Sequence, residues 1–119
     1  MSGFNPTTIA AISAQQEIGI RTTRQPDKPV TIWVVVTGDE VFIRSFQAAK
    51  GRWYRSVAAD GLATLEIDGQ QVPVRATPAD TAAIDRVSTA FLAKYGSSPY
   101  AKEMVRSETL PTTLRVEPR

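Results

Sequence analysis

The sequence predicts an α+β domain, with six strands curled into a small antiparallel barrel and helices flanking it. Three observations carry this expectation. Short strand-like runs follow one another through tight polar turns, above all Asp68-Gly69, so neighbouring strands pair as hairpins. No strand–helix–strand spacing recurs, which argues against a parallel sheet. One long helical stripe, Ile84, Val87, Phe91 and Tyr95, stands apart from the strands. The chain has 119 residues, 42% of them hydrophobic, which suits a single domain over 1–119 with one core and no linker or repeat.

The elements follow in order. Asn5 can cap a helix with Pro6 at its first position, and Ile9, Ala11 and Ile12 give it an apolar stripe to Gln16. Glu17 to Thr22 alternates, with Ile18 and Ile20 on one face, and reads as the first strand. Thr23 to Pro29, with two prolines, reads as a loop. Val30 to Val36 and Val41 to Phe46 read as two strands joined at Gly38-Asp39. Lys50 to Ala59 reads as a loop with a short helical turn. Ala63 to Ile67 and Gln71 to Arg75 form the next hairpin; Pro73 lacks a donor, which predicts an edge strand or a bulge. Asp80 caps a helix to Tyr95 that Gly96 ends. Ser98-Pro99 opens a short helix to Val105, and Thr112 to Val116 reads as the last strand.

What is missing excludes more than what is present suggests. With no Cys and no His, thiolate nucleophiles, Ser-His-Asp triads and zinc fingers are excluded, and no metal is expected. If the protein is an enzyme, a bound organic cofactor is expected to carry the hard chemistry. No apolar run reaches the roughly 20 residues of a membrane helix. The N-terminus lacks a secretory pattern, so the expected location is the cytoplasm, with no membrane partner. The net charge of +2 is too small for a nucleic-acid footprint, but it is unevenly spread. Seven cations face three acids between residues 21 and 55, a local field suited to a small anionic ligand.

The segment Val30 to Arg55 delivers cations and aromatics to one region. It ends in Lys50-Gly51-Arg52-Trp53-Tyr54-Arg55, where cations suit a phosphate and flat rings suit a planar heterocycle. Trp33 alternates with Ile32 and Val34 and serves packing or ring contact. Arg44, in an otherwise apolar strand, needs a carboxylate, an exit to solvent or a ligand. Ser45 can donate to a ring carbonyl or stay a surface serine. Lys50, Arg52 and Arg55 read as a solvated loop, and Trp53 and Tyr54 as rings anchoring it to the barrel, with direct ligand contact the alternative for all five. Phe91 and Tyr95 belong to the core. The run Val30 to Val36 is apolar on both faces, which predicts a homodimer with the second and third strands near the interface.

Ile20-Arg21-Thr22-Thr23-Arg24, Pro29, the hydrophobic hairpin, Trp53-Tyr54 and the Gly69 turn together resemble the flavin-binding split-barrel superfamily. Within it the chain is similar to deazaflavin-dependent nitroreductase-like proteins. More closely it resembles a family of uncharacterised bacterial proteins, over nearly its whole length, including Lys94 to Pro99 and Thr112 to Arg115. The resemblance implies a six-stranded split barrel, a homodimer, and flavin mononucleotide (FMN) or a deazaflavin coenzyme in a cleft. It implies an oxidoreductase-like protein whose cofactor carries hydride transfer. Arg21, Thr22, Arg24 and Lys28 would then hold the phosphate. The ring would lie near Trp33, Arg44, Ser45, Trp53 and Tyr54. As a clamp, Arg21 and Arg24 give charge-assisted bonds; otherwise they are surface arginines or partners of Glu17 and Asp27. The loop Thr23 to Pro29 has no glycine, unlike the glycine-rich loop of the nitroreductase-like branch. The alternative is a non-enzymatic ligand-binding or structural dimer that has kept the barrel and lost the cofactor.

Overall fold

The computed structural model describes residues 3–119. All strand pairs are antiparallel, and the first hairpin sets the pattern. β1 (Ile18–Thr22) pairs with β2 (Gln25–Ile32), and Thr22 opposite Gln25 leaves a two-residue turn at Thr23-Arg24. The segment expected to be a loop is therefore mostly strand. Its two prolines are tolerated because β2 pairs only with β1, so no ladder bond is lost on its outer side.

β3 (Val35–Thr37) and β4 (Glu40–Ile43) form the second hairpin, β5 (Leu62–Ile67) and β6 (Gln70–Pro78) the third, and β7 (Leu114–Pro118) closes the order β2-β1-β5-β6-β7-β4-β3. The two edges of this sheet, β2 and β3, are consecutive in the chain and separated only by Trp33-Val34. They are the two halves of one bent strand that belongs to both edges. This bend accounts for the seventh strand, where the alternation alone predicts six. At the third hairpin, Asp68 (φ 51°) and Gly69 (φ 80°) both take the left-handed conformation that a tight hairpin turn needs. Pro73 sits on an interior strand, not an edge strand, but at the end where β7 has stopped pairing. Its carbonyl accepts from Arg119 N on that side, so its missing N–H faces that same unladdered side.

Two apolar layers result. The barrel interior holds Ile20, Ile32, Val34, Ile43, Leu65, Val74 and Val116, and it is plugged by Ile12 of α1 (Pro6–Ala14) and by Trp53 and Val57 of α2 (Arg52–Asp60). Outside, α3 (Thr81–Tyr95) lays Ala83, Val87, Phe91 and Tyr95 against Val35 and Phe42. The two apolar faces of the run Val30 to Val36 are thus covered within one chain, Val34 inward and Val35 under α3. The segment expected to be a loop with a short turn is a full helix, α2. Its buried residues Trp53, Ser56 and Val57 share one face at helical spacing, and Gly61 ends it at φ 75°. α3 begins at its expected cap, with Asp80 Oδ1 accepting from Ala83 N at 3.0 Å. It ends before Gly96, which stays right-handed at φ −60°, and a side chain there would collide with the Leu92 carbonyl.

Candidate functional site

The bend at Trp33-Val34 interrupts the ladder, so its backbone groups need other partners. The end of α3 supplies them. Tyr95 Oη accepts from Val34 N at 3.1 Å and donates to Gln16 O at 2.7 Å, with Val34 O also 3.0 Å away. Lys94 Nζ donates to Val34 O at 2.9 Å and approaches Ile12 O at 3.4 Å. Burial pushes the Tyr95 phenol up to about 12 and pulls the Lys94 ammonium below its ordinary value. Trp33 lies flat on Tyr95, with ring centres 4.0 Å apart and planes 1° from parallel.

Beside this bend is a cavity of about 320 Å³. Trp33, Phe46, Trp53, Tyr100 and Met104 line it, with Arg44 in its wall and the exposed Thr31 and Glu17 at its edge. Phe46 and Tyr100 meet edge to face at 6.0 Å and are among the large apolar side chains most exposed to solvent. Trp33, Arg44 and Trp53, three of the residues expected at a ring site, come together here.

Arg44 does not exit to solvent, and among the described residues it finds no carboxylate. It is 1% exposed and bonds only neutral acceptors: Thr113 Oγ1 at 2.7 Å, Ser88 Oγ at 2.9 Å, Met104 O at 3.0 Å and Ile84 O at 2.9 Å. Its guanidinium also lies 5.4 Å from the centre of the Phe91 ring. Burial lowers its pKa to about 10, so it remains charged near neutrality.

A second depression, of about 300 Å³, also involves the first turn of α2. Arg24, Arg52 and Arg55 line it with Thr22 and Gln25. The Thr23-Arg24 turn reaches α2 through Arg24 N, which donates to Ser56 Oγ at 3.3 Å. None of the three arginines lies within ion-pair distance of a carboxylate among the described residues. Arg52 and Trp53 are consecutive, so one helical turn carries a wall of each depression.

The remaining expected residues have other surroundings. Arg21 is ion-paired with Glu66 and donates to Pro26 O at 2.8 Å, in a separate hollow with Thr64, Gln71 and Arg119. Its partner is therefore Glu66, not Glu17 or Asp27. Lys28 is exposed on β2. Ser45 is fully buried and donates to Ala48 O at 2.7 Å, which holds the turn before α2. Lys50 is exposed in that turn, and Tyr54 packs half-buried against the barrel core, edge to face with Trp53 at 6.2 Å. Phe46, Tyr100 and Met104 were not among the residues expected at a site. Their signal was a serial one only, an apolar residue at a strand end and two more just after the α3 stripe.

Fold and site together define an antiparallel split barrel with an aromatic cavity and a basic depression, to which consecutive residues of α2 contribute. The chain belongs to the family described as "Uncharacterized protein conserved in bacteria (DUF2255)", matched over residues 8–116. No curated protein matches it significantly. Among solved structures it is similar to a domain-swapped dimer (TM-score 0.65, 14% identity, 87% of this chain and 81% of that one). It is also similar to HutZ, the heme storage protein of Vibrio cholerae (0.62, 7%, 98% and 91%). A third similar structure is an F420 reductase (0.53, 11%, 92% and 91%). At such identities the likeness establishes the split-barrel fold alone. Among the described residues no helix is long and apolar enough to cross a membrane.

Proposed function

We propose that this is a cytoplasmic, homodimeric split-barrel protein that binds a planar phosphorylated cofactor, FMN or a deazaflavin. The observation that carries this reading is that the first turn of α2 lines two depressions, giving Trp53 to the aromatic one and Arg52 and Arg55 to the basic one. At about 320 Å³ the aromatic cavity is near the small end of the roughly 300–1,000 Å³ typical of ligand sites, room for a ring system without its phosphate tail. Trp33 and Trp53 would hold that ring, and Arg24, Arg52 and Arg55 with Thr22 would hold the phosphate. Such a cofactor, when bound, supplies hydride transfer. The residues of this chain would bind and orient it, exclude water through the Trp33–Tyr95 stack, and hold its charge. The split barrels of the heme storage protein and the F420 reductase support a cofactor role for the fold without choosing the cofactor. The domain-swapped dimer supports pairing of two chains, and light scattering that shows a monomer at micromolar concentration would remove that part.

The test is titration of FMN and of a deazaflavin into the protein, read by tryptophan fluorescence. Both tryptophans of the chain, Trp33 and Trp53, line the cavity, so quenching reports the site itself. Loss of one exposed arginine–phosphate contact should cost about 1–2 kcal/mol, roughly five- to thirtyfold in affinity, for Arg24→Ala, Arg52→Ala and Arg55→Ala. Arg21→Ala and Arg75→Ala should match the wild type, because Arg21 is held by Glu66 and Arg75 is exposed on β6. Binding of neither cofactor below about millimolar concentration would sink the reading. Binding without hydride transfer to any acceptor would leave a ligand-binding dimer in place of an oxidoreductase.

A further inference from the structure

The wall of the aromatic cavity contains a positive charge that the fold buries and does not neutralise. Arg44 lies beside Trp33, Phe46, Trp53, Tyr100 and Met104, yet among the described residues no carboxylate is within ion-pair distance of it. Its four bonds to Thr113, Ser88, Met104 and Ile84 satisfy donors but cancel no charge. A guanidinium has five N–H groups, and the second one on Nη2 meets no acceptor among the described residues. Among the described residues Glu17 is the carboxylate lining the cavity; it is exposed and not within ion-pair distance of Arg44, although its charge is felt by Tyr95 behind Trp33. A buried charge left without an opposite charge is costly, and its cost falls when a bound anion completes it.

We propose that Arg44 makes the cavity selective for an anionic aromatic group, so that the planar part of the occupant itself carries negative charge on a carboxylate, enolate or deprotonated ring nitrogen. This rests on the reading of the cavity as the ring site. It adds a second electrostatic demand, separate from the phosphate at the three surface arginines. Because Arg44 is only 1% exposed, it acts through its field, which burial leaves poorly screened, and not as an open clamp.

The probes are 2-naphthoate and 2-naphthamide, two flat aromatics of nearly equal shape that differ in charge, titrated by quenching of Trp33 and Trp53. The carboxylate is expected to bind at least about tenfold more tightly than the amide. The preference is expected to survive a rise from about 0.1 to 0.5 M sodium chloride, since salt screens exposed charges far more than buried ones. In Arg44→Gln, folded by circular dichroism, the preference should fall below about threefold. Should that variant not fold, the salt comparison on the wild-type protein decides alone. Equal binding of the two probes overturns the proposal while leaving the ring site standing. A preference that vanishes in high salt assigns it to Arg24, Arg52 and Arg55 and overturns the role of Arg44. Binding of neither probe removes the ring site and this inference with it.

Discussion

The barrel closes at a bend that no local residue enforces, and Tyr95→Phe isolates what holds it. The substitution keeps the ring, and with it the stack on Trp33 at 4.0 Å, and removes only the hydroxyl. Val34 is fully buried, so its N–H, which now donates to Tyr95 Oη at 3.1 Å, would be left without a partner. Val34 O would keep Lys94 Nζ at 2.9 Å, and Gln16 is exposed, so its carbonyl can turn to water. The loss is therefore one unsatisfied buried donor, about 1–3 kcal/mol. For a domain of this size that is roughly 4–12 °C in Tm. Lys94→Met should cost less, about 1 kcal/mol or below, because Tyr95 Oη remains 3.0 Å from Val34 O and the partly buried ammonium no longer carries its desolvation penalty. The assay is urea denaturation followed by tryptophan fluorescence, which sees Trp33 at the bend directly. A Tyr95→Phe protein within about 0.5 kcal/mol of the wild type would refute the claim that this hydroxyl holds the strand halves together.

Three further outcomes are expected. Tyrosinate absorbance should show one component that ionises only near pH 12, absent in Tyr95→Phe, because burial favours the neutral phenol. The sign follows from linkage: the folded chain keeps this proton above the ordinary pKa of 10.0, so its contribution is intact below pH 10 and is lost as pH rises toward 12. Gly69→Ala, at φ 80° in the β5–β6 turn, should destabilise by about 1 kcal/mol in thermal melts. Ala48→Gly should stabilise by up to about 1 kcal/mol, since Ala48 sits at φ 57° in the turn that Ser45 holds; a lower Tm would show that the turn is not strained there.

What was legible in the sequence was what neighbours in the chain decide. The Asp68-Gly69 turn is set by two residues that tolerate positive φ, and its register follows from Ile67 opposite Gln70. The α3 stripe and its Asp80 cap are equally local, and both are present. The break at Trp33-Val34 was not legible, because the apolar run continues through it and its cause, Tyr95, lies 61 residues away. α2 was obscured differently. It starts at Gly51 without a side-chain cap, and Trp53-Tyr54 favours strands, so only the Trp53–Val57 spacing spoke for a helix.

The site sorted its cations by geometry that sequence proximity could not supply. Arg21 and Arg24 stand three residues apart on the chain, and the β1–β2 turn sends them to different hollows. Alternation along β1 brings Arg21 opposite Thr64, beside Glu66 on β5, and that carboxylate engages it. Arg24 lies in the turn itself, where its backbone meets Ser56 of α2, and it thereby joins Arg52 and Arg55 from about 30 residues further on. Arg44 is the third case, a cation walled into the core by Thr113, Ser88 and two carbonyls from other elements. Each cation's role thus depends on whether the fold provides it with an acid. Arg21 has one and serves structure. Arg24, Arg52 and Arg55 have none within ion-pair distance among the described residues, although the charge of Arg24 is felt by Asp60, and all three are exposed, where an anion can be exchanged. Arg44 has none among the described residues and lines the aromatic cavity, where the proposed anionic ring would offset its charge.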